Sequence, residues 1–192
     1  DVNIVLENYA SVSYGLGGFV GKASEFAQID HSYSAGSIYM NANASAGFTG
    51  GFAGYLLNQV SISDSYSTLD MSNAKNDVSW GSFIGHTGYQ SGSAYDEFIG
   101  SIKNVYATYE GKFIAGVTGG TFENVIYNKA AEGEQIYGTA PDAFLLSSTA
   151  LTTSQMQDAT TMQGHGFTEE NGWYFVGGGE SSFIETPGSS MQ

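Results

Sequence analysis

Three histidines are the side chains best suited to metal binding or general acid–base chemistry: His31, His86 and His165. A zinc site gathers three or four ligands, with histidines and acids at short, recognisable spacings. The three histidines lie in unrelated contexts, and none has a second histidine or a carboxylate at such a spacing. The chain also has no cysteine. The sequence therefore predicts no metal site and no bound cofactor.

Acidic residues, serines and glycines likewise form no recognised catalytic motif. Asp64, Asp70 and Asp77 match no calcium loop, although weak calcium binding to so acidic a chain remains open. The glycine-rich run at 15–18 is not followed by the helix or lysine that phosphate binding requires. No Gly-x-Ser-x-Gly elbow occurs, and no Ser-His-acid order is present. We therefore predict that the chain is not an enzyme and has no catalytic residue.

Two tyrosines in a polar excursion are the candidate ligand-binding residues. Residues 86–97 interrupt the apolar pattern and contain Tyr89 and Tyr95 among glycines and serines. Insertions of this kind in repeat proteins commonly carry binding function. Tyrosine provides contact area at low conformational-entropy cost. We assign Tyr89 and Tyr95 to the binding of a host-surface or matrix protein, or of a glycan.

The excursion lies within a chain that is built on a repeated pair of motifs. Gly-Gly-Phe-x-Gly occurs at 17–21 and at 50–54, and Ser-Tyr-Ser is centred on Tyr33 and Tyr66, so both motifs recur with one identical period. The aromatic motif returns at Phe83, Phe98 and Phe113, and the last two steps are about half as long as the first. These steps predict that the 33-residue unit is two turns of a coil. The residues assigned to the repeat are Gly18, Phe19, Gly21, Tyr33, Gly51, Phe52, Gly54, Tyr66, Phe83, Gly85 and Tyr106.

Short strands are the elements that fit this repeat. The apolar runs are rich in Phe, Tyr, Ile and Val and are broken by glycine every few residues, which favours strands over helices. A fixed period indicates units that bury their apolar faces against neighbours. We predict an all-β parallel β-helix (β-solenoid) in which glycines permit positive φ before each phenylalanine. Two inward ladders are expected, formed by Phe19, Phe52, Phe83, Phe98 and Phe113 and by Tyr9, Tyr33, Tyr66 and Tyr106.

Three regions follow from the pattern. Residues 1–140 are predicted to form the β-solenoid. Residues 141–176 are predicted to be a capping segment with one short helix from about Thr153 and an aromatic strand, which closes the open end of the coil. Residues 177–192 are predicted to be a flexible linker or tail.

Charge and hydropathy restrict the partners. The formal net charge is −14, with 5 basic and 19 acidic residues. Binding to nucleic acid requires clustered Lys and Arg, so it is excluded, and an anionic membrane surface is disfavoured. No apolar run approaches the ~20 residues of a membrane-spanning helix. We predict a protein that is not inserted in a membrane.

The repeat motifs also resemble a known family. Gly-Gly-Phe-Val-Gly followed by Ile-x-x-Ser-Tyr-Ser-x-Gly resembles the GLUG repeat of large bacterial surface proteins, including filamentous-haemagglutinin-like adhesins and the accessory region of immunoglobulin A peptidases. The resemblance covers about residues 3–128. It implies a secreted or cell-surface location and a role in cell adhesion, as a stalk or binding module. The alternatives are a filament or surface-layer subunit that binds copies of itself, and a polysaccharide-active enzyme suggested by fold analogy only.

Overall fold

Short strands make up most of the computed structural model. It describes residues 2–6, 11–12, 15–40, 45–74, 80–91, 94–96, 98–129, 136, 145–176 and 183–185. The predicted all-β class is confirmed, because strands joined in parallel sheets predominate and the few helices are short. None of the described helices is long and apolar enough to cross a membrane. Tyr9 lies outside the described residues.

The strands fall into five consecutive units. The first unit contains β1 (Val2–Leu6), β2 (Ser11–Val12), β3 (Leu16–Gly17), β4 (Val20–Ala23), β5 (Gln28–Asp30) and β6 (Tyr33–Ser34). The second contains β7 (Gly36–Met40), β8 (Ser45–Ala46), β9 (Thr49–Gly50), β10 (Ala53–Leu56) and β11 (Ser61–Ser67). The third contains β12 (Asp70–Asn73), β13 (Trp80–Gly81), β14 (Ile84–Thr87), β15 (Tyr89–Ser91), β16 (Ala94–Asp96) and β17 (Ser101–Glu110). The fourth contains β18 (Ile114–Val117) and β19 (Thr121–Asn128), and the fifth contains β20 (Ser148–Leu151).

Equivalent strands of successive units pair in parallel. One sheet has the order β1-β7-β12, another β3-β9-β13, and β2 pairs with β8. The four-stranded sheet has the order β4-β10-β14-β18. The main sheet has the order β5-β11-β17-β19-β20, and β6 also pairs with β11. The described strands of the first unit therefore lie at one edge of each of these parallel sheets.

The number of residues between one strand and its partner in the next unit differs from the prediction. Val20 pairs with Ala53 and Tyr33 pairs with Tyr66, so the chain uses one complete period of the repeat to return to the neighbouring strand. The prediction that each period makes two turns is wrong. The first unit has six short strands and the second has five, so a full period of residues is needed for one step of the stack.

A column of stacked phenylalanines runs through four units. The ring centroids of Phe19, Phe52, Phe83 and Phe113 are 4.8, 4.7 and 4.9 Å apart in turn, with the rings nearly parallel. Phe52, Phe83 and Phe113 are fully buried, whereas Phe19, at the first-unit end of the column, is 48% exposed. The prediction that Phe98 belongs here is wrong. Phe98 bridges to the second unit in a different column and packs against Phe122 instead.

The repeat glycines are explained by close approach between backbones. The positive φ predicted before each phenylalanine is wrong, since neither Gly18 nor Gly51 adopts it. A Cβ on Gly51 would lie 2.1 Å from the carbonyl oxygen of Ser82, and a Cβ on Gly54 would lie 2.5 Å from the amide nitrogen of Leu16. Any side chain at these positions would push neighbouring units apart.

The main core lies on one face of the main sheet. It is an apolar cluster that joins residues of the four-stranded sheet to residues of the main sheet. Its members include Phe52, Leu56, Ile62, Phe83, Ile84, Ile102, Val105, Phe113, Ile114, Phe122 and Val125. Because the same strand positions contribute in the second, third and fourth units, the core runs along the direction in which the units stack.

Two short helices follow the last strand of the main sheet. α1 (Thr153–Met156) begins with a capping box between Thr152 and Gln155, and α2 (Ala159–Gly164) begins at Asp158, whose carboxylate accepts a hydrogen bond from the Thr161 amide. The sequence predicts one helix here, whereas the structure has two, because the Asp158 cap starts a new one. A 3-10 helix (Glu169–Asn171) and the antiparallel pair β21 (Tyr174–Val176) and β22 (Phe183–Glu185) complete the described chain. β22 lies in the range predicted as a flexible tail.

The C-terminal segment, residues 152–173, covers the second face of the main sheet. Tyr66 and Tyr106 stack 4.9 Å apart on this face, and Trp173 packs against both rings at 6.1 and 5.9 Å. Met156, Met162 and Phe167 belong to the same buried cluster. Burial raises the pKa of Tyr106 well above its usual range. The segment therefore lies along the side of several units, which differs from the predicted cap across one end.

The column predicts unequal effects of two alanine substitutions. Phe83→Ala removes a fully buried ring with a stacked neighbour on each face, and we expect a loss of about 3–5 kcal/mol in the free energy of unfolding. Phe19→Ala removes a half-exposed ring with one stacked neighbour, and we expect a loss of about 1 kcal/mol. Urea denaturation followed by tryptophan fluorescence measures both. Equal losses for the two variants would contradict the stacked arrangement of the phenylalanine rings.

Candidate functional site

A β-hairpin is inserted in the chain between β14 and β17. In this hairpin β15 pairs antiparallel with β16. Leu56 pairs with Thr87 and Asn58 bridges to Phe98, so residues 88–97 of the third unit take the place of a single residue in the second. Parallel pairing resumes at once between β11 and β17. The hairpin is therefore an insertion that leaves the stack intact on both sides.

Both predicted ligand-binding tyrosines lie on this hairpin. Tyr89 is on β15, where it pairs with Asp96, and Tyr95 is on β16, where it pairs with Gln90. The structure thus brings the two tyrosines onto neighbouring strands of one small element. They are not register partners of each other.

A second feature is a column of left-handed residues that divides the strands of the main sheet. His31, Asp64, Asn104 and Asn124 have φ values of 45°, 46°, 52° and 52°. Asp and Asn tolerate this conformation better than most residues. Register pairing continues on both sides of the column, between Ser63 and Lys103 and between Ser65 and Val105. Each strand therefore bends at the same point.

Side-chain hydrogen bonds join three members of this column into what we call the polar ladder (Asp64, Asn104 and Asn124). The Asn104 Nδ2 donates to Asp64 Oδ1 at 3.1 Å, and the Asn124 Nδ2 donates to Asn104 Oδ1 at 3.1 Å. The Asn124 Nδ2 also donates to the carbonyl oxygen of His165 at 2.8 Å. The ladder connects the second, third and fourth units to the C-terminal segment.

At the first unit the column ends in what we call the His31 cluster (Asp30, His31 and Asp64). The His31 Nδ1 lies 2.8 Å from Asp30 Oδ1, and the Ser63 hydroxyl donates to the same oxygen at 2.9 Å. One ligand atom from each of the three residues lies within 4.8 Å of the others. Burial alone would raise the pKa of Asp30, but the hydrogen bonds from His31 and Ser63 prevail and lower it.

The other two histidines have different surroundings. The His86 ring lies 4.6 Å from the Phe48 ring and covers Gly116, and its Nδ1 is 2.9 Å from the carbonyl oxygen of Gly88. Burial lowers the pKa of His86, which favours a neutral, packed imidazole. His165 uses its backbone carbonyl to anchor Asn124.

Sequence reasoning missed the His31 cluster because His31 and Asp64 belong to different repeat units and lie far apart along the chain. The signal was nevertheless present in the repeat. His31, Asp64 and Asn104 each precede by two residues a tyrosine of the stacked column, namely Tyr33, Tyr66 and Tyr106. Superposing the tyrosine motifs places the three polar residues at one position of the unit.

No protein-family model matches this chain, and comparisons with curated proteins and with solved structures find no match. The arguments for function therefore depend on the chain's own geometry and motifs.

Substitutions at Asn104 separate the two roles of the polar ladder. Asn104→Gly keeps the left-handed conformation accessible but removes the ladder hydrogen bonds, and we expect a loss of about 1–2 kcal/mol in the free energy of unfolding. Asn104→Ala also adds strain at positive φ, so we expect about 1 kcal/mol of further loss. Chemical denaturation of both variants measures the difference. If both variants were as stable as the parent chain, the ladder would have no stabilising role.

Proposed function

We propose that the chain is a non-enzymatic segment of an exported bacterial surface protein, in which a parallel β-solenoid displays a binding hairpin. The observation that carries the proposal is the insertion of β15 and β16 into an otherwise continuous stack. A rigid scaffold that tolerates a loop without losing register is suited to presenting that loop to a partner. Its partner would be a host-surface or matrix protein, or a glycan.

Several observations support the solenoid. Parallel pairing between successive units, a phenylalanine column, a tyrosine column and a polar ladder all run in one direction. Stacked units that bury apolar faces only against their neighbours account for all four features. The GLUG-like motifs at 17–21 and 50–54 support a surface-exposed, adhesin-like setting.

A second candidate function is association with copies of the same chain through the first unit. Phe19 stacks on Phe52 yet is 48% exposed, and Tyr33 stacks on Tyr66 yet is 39% exposed. β4 is also one of the two edge strands among the described strands of the four-stranded sheet. Exposed aromatic rings beside an edge strand favour association.

Replacement of the hairpin tests the proposed function. In the variant, residues 88–97 are replaced by a single leucine, as at Leu57 of the second unit. We expect the parent chain to bind a component of a glycan and matrix-protein array as a monomer, and the variant to lose at least ten-fold in affinity. Tyr89→Ala combined with Tyr95→Ala should lose binding in the same assay.

Two controls make this result interpretable. Circular dichroism and a melting curve establish that the variant retains the β-rich stack. Electron microscopy of the parent chain detects filaments. Undiminished binding by the folded variant would remove the hairpin from the proposal, and filaments without array binding would favour self-association.

A further inference from the structure

We propose that Asp30, His31 and Asp64 bind a divalent transition-metal ion, with Zn²⁺ as the first candidate. This site is separate from the hairpin and does not depend on the proposed function. One ligand atom from each residue already lies within 4.8 Å of the others. Two of the residues come from the first unit and one from the second, so the site exists only when the units stack.

The mixed donor set selects the class of ion. An imidazole nitrogen with two carboxylate oxygens suits Zn²⁺ and its neighbours among the first-row metals. Calcium prefers six to eight oxygen ligands, which three side chains including an imidazole do not supply. Tetrahedral coordination with bonds of about 2.0–2.2 Å places ligand atoms roughly 3.3–3.6 Å apart, which is compatible with the observed spread.

Binding at the His31 Nδ1 displaces the hydrogen on that nitrogen. The His31 Nδ1 and Asp30 Oδ1 lie 2.8 Å apart and share that hydrogen in a hydrogen bond. A metal ion bound by both atoms takes its place, and the neutral imidazole then carries its single hydrogen on Nε2. The two side chains are 37% and 59% exposed, so solvent has direct access to them.

Surrounding hydrogen bonds hold the two carboxylates in place. Ser63 donates to Asp30 at 2.9 Å, and Asn104, itself bonded to Asn124, donates to Asp64 at 3.1 Å. Groups of this kind orient metal ligands, and their loss typically weakens binding by about 10–100-fold. The polar ladder therefore holds the Asp64 carboxylate in place through Asn104.

Residue 31 is a histidine, whereas the other three positions of the column are Asp or Asn. In the third and fourth units the equivalent position is Asn, whose amide both donates and accepts along the column. An Asn at position 31 would suit the same left-handed backbone and could extend the ladder. His is instead placed beside Asp30 and Asp64, where its distinctive ability is to ligate a metal.

Isothermal titration calorimetry of the full chain with Zn²⁺ tests the site. We expect one ion per chain, and at least a ten-fold weaker association constant for His31→Asn and for Asp64→Asn. Both substitutions introduce the residue type that the ladder already carries, so both variants should fold. Asn104→Ala should weaken binding by about ten-fold through Asp64.

Matched controls distinguish this site from general attraction to an acidic surface. Asp70→Asn removes the same residue type elsewhere and should leave Zn²⁺ binding unchanged. The His31 imidazole signals in NMR spectra should shift on addition of Zn²⁺ and not of Ca²⁺. Absence of Zn²⁺ binding would overturn the proposal, and equal binding by His31→Asn would show an adventitious ion only.

Discussion

The structure depends on equivalent residues lying over one another in successive units. Where parallel strands pair in register, the backbone of each residue lies about 4.8 Å from its counterpart in the next unit. Aromatic rings stack on aromatic rings, and amides bond to amides or to a carboxylate. Like charges at this distance would repel, so charged positions favour neutral or oppositely charged partners. Lys103 and Glu123, at 3.2 Å, are register partners of opposite charge.

The same constraint explains where variation is tolerated. Residues between strands can be added when the strands on each side keep their register, as the β15–β16 hairpin shows. Positions within a column have less freedom, because a change in one unit alters contacts in two others. A residue whose type differs from the others in its column, such as His31 among Asp and Asn, is therefore a candidate for a function of its own. The proposed binding hairpin and the proposed metal site both arise as departures from the repeat.

Sequence predicted the class of fold and two of the columns, since the motifs around Tyr33 and Tyr66 and around Phe19 and Phe52 recur with little change. It mispredicted the step because Phe98 lies midway in sequence between Phe83 and Phe113. That coincidence depends on the hairpin insertion and on the shorter later units, whose effect on the spacing of the phenylalanines the repeat motifs do not reveal. The packing of the C-terminal segment on the tyrosine face also required the structure, because helix caps specify where a helix begins and not which surface it covers.

Disulfide cross-linking tests most directly the central claim that each period of the repeat makes one step of the stack. The chain has no cysteine, so introduced pairs report on one distance only. Gln28 and Ser61 are register partners in β5 and β11, whereas Gln28 and Ser63 are offset by two residues. The account predicts rapid oxidation of Gln28→Cys with Ser61→Cys and little of Gln28→Cys with Ser63→Cys, whose Cα atoms lie too far apart. Equal oxidation of the two pairs, or none in either, would contradict it.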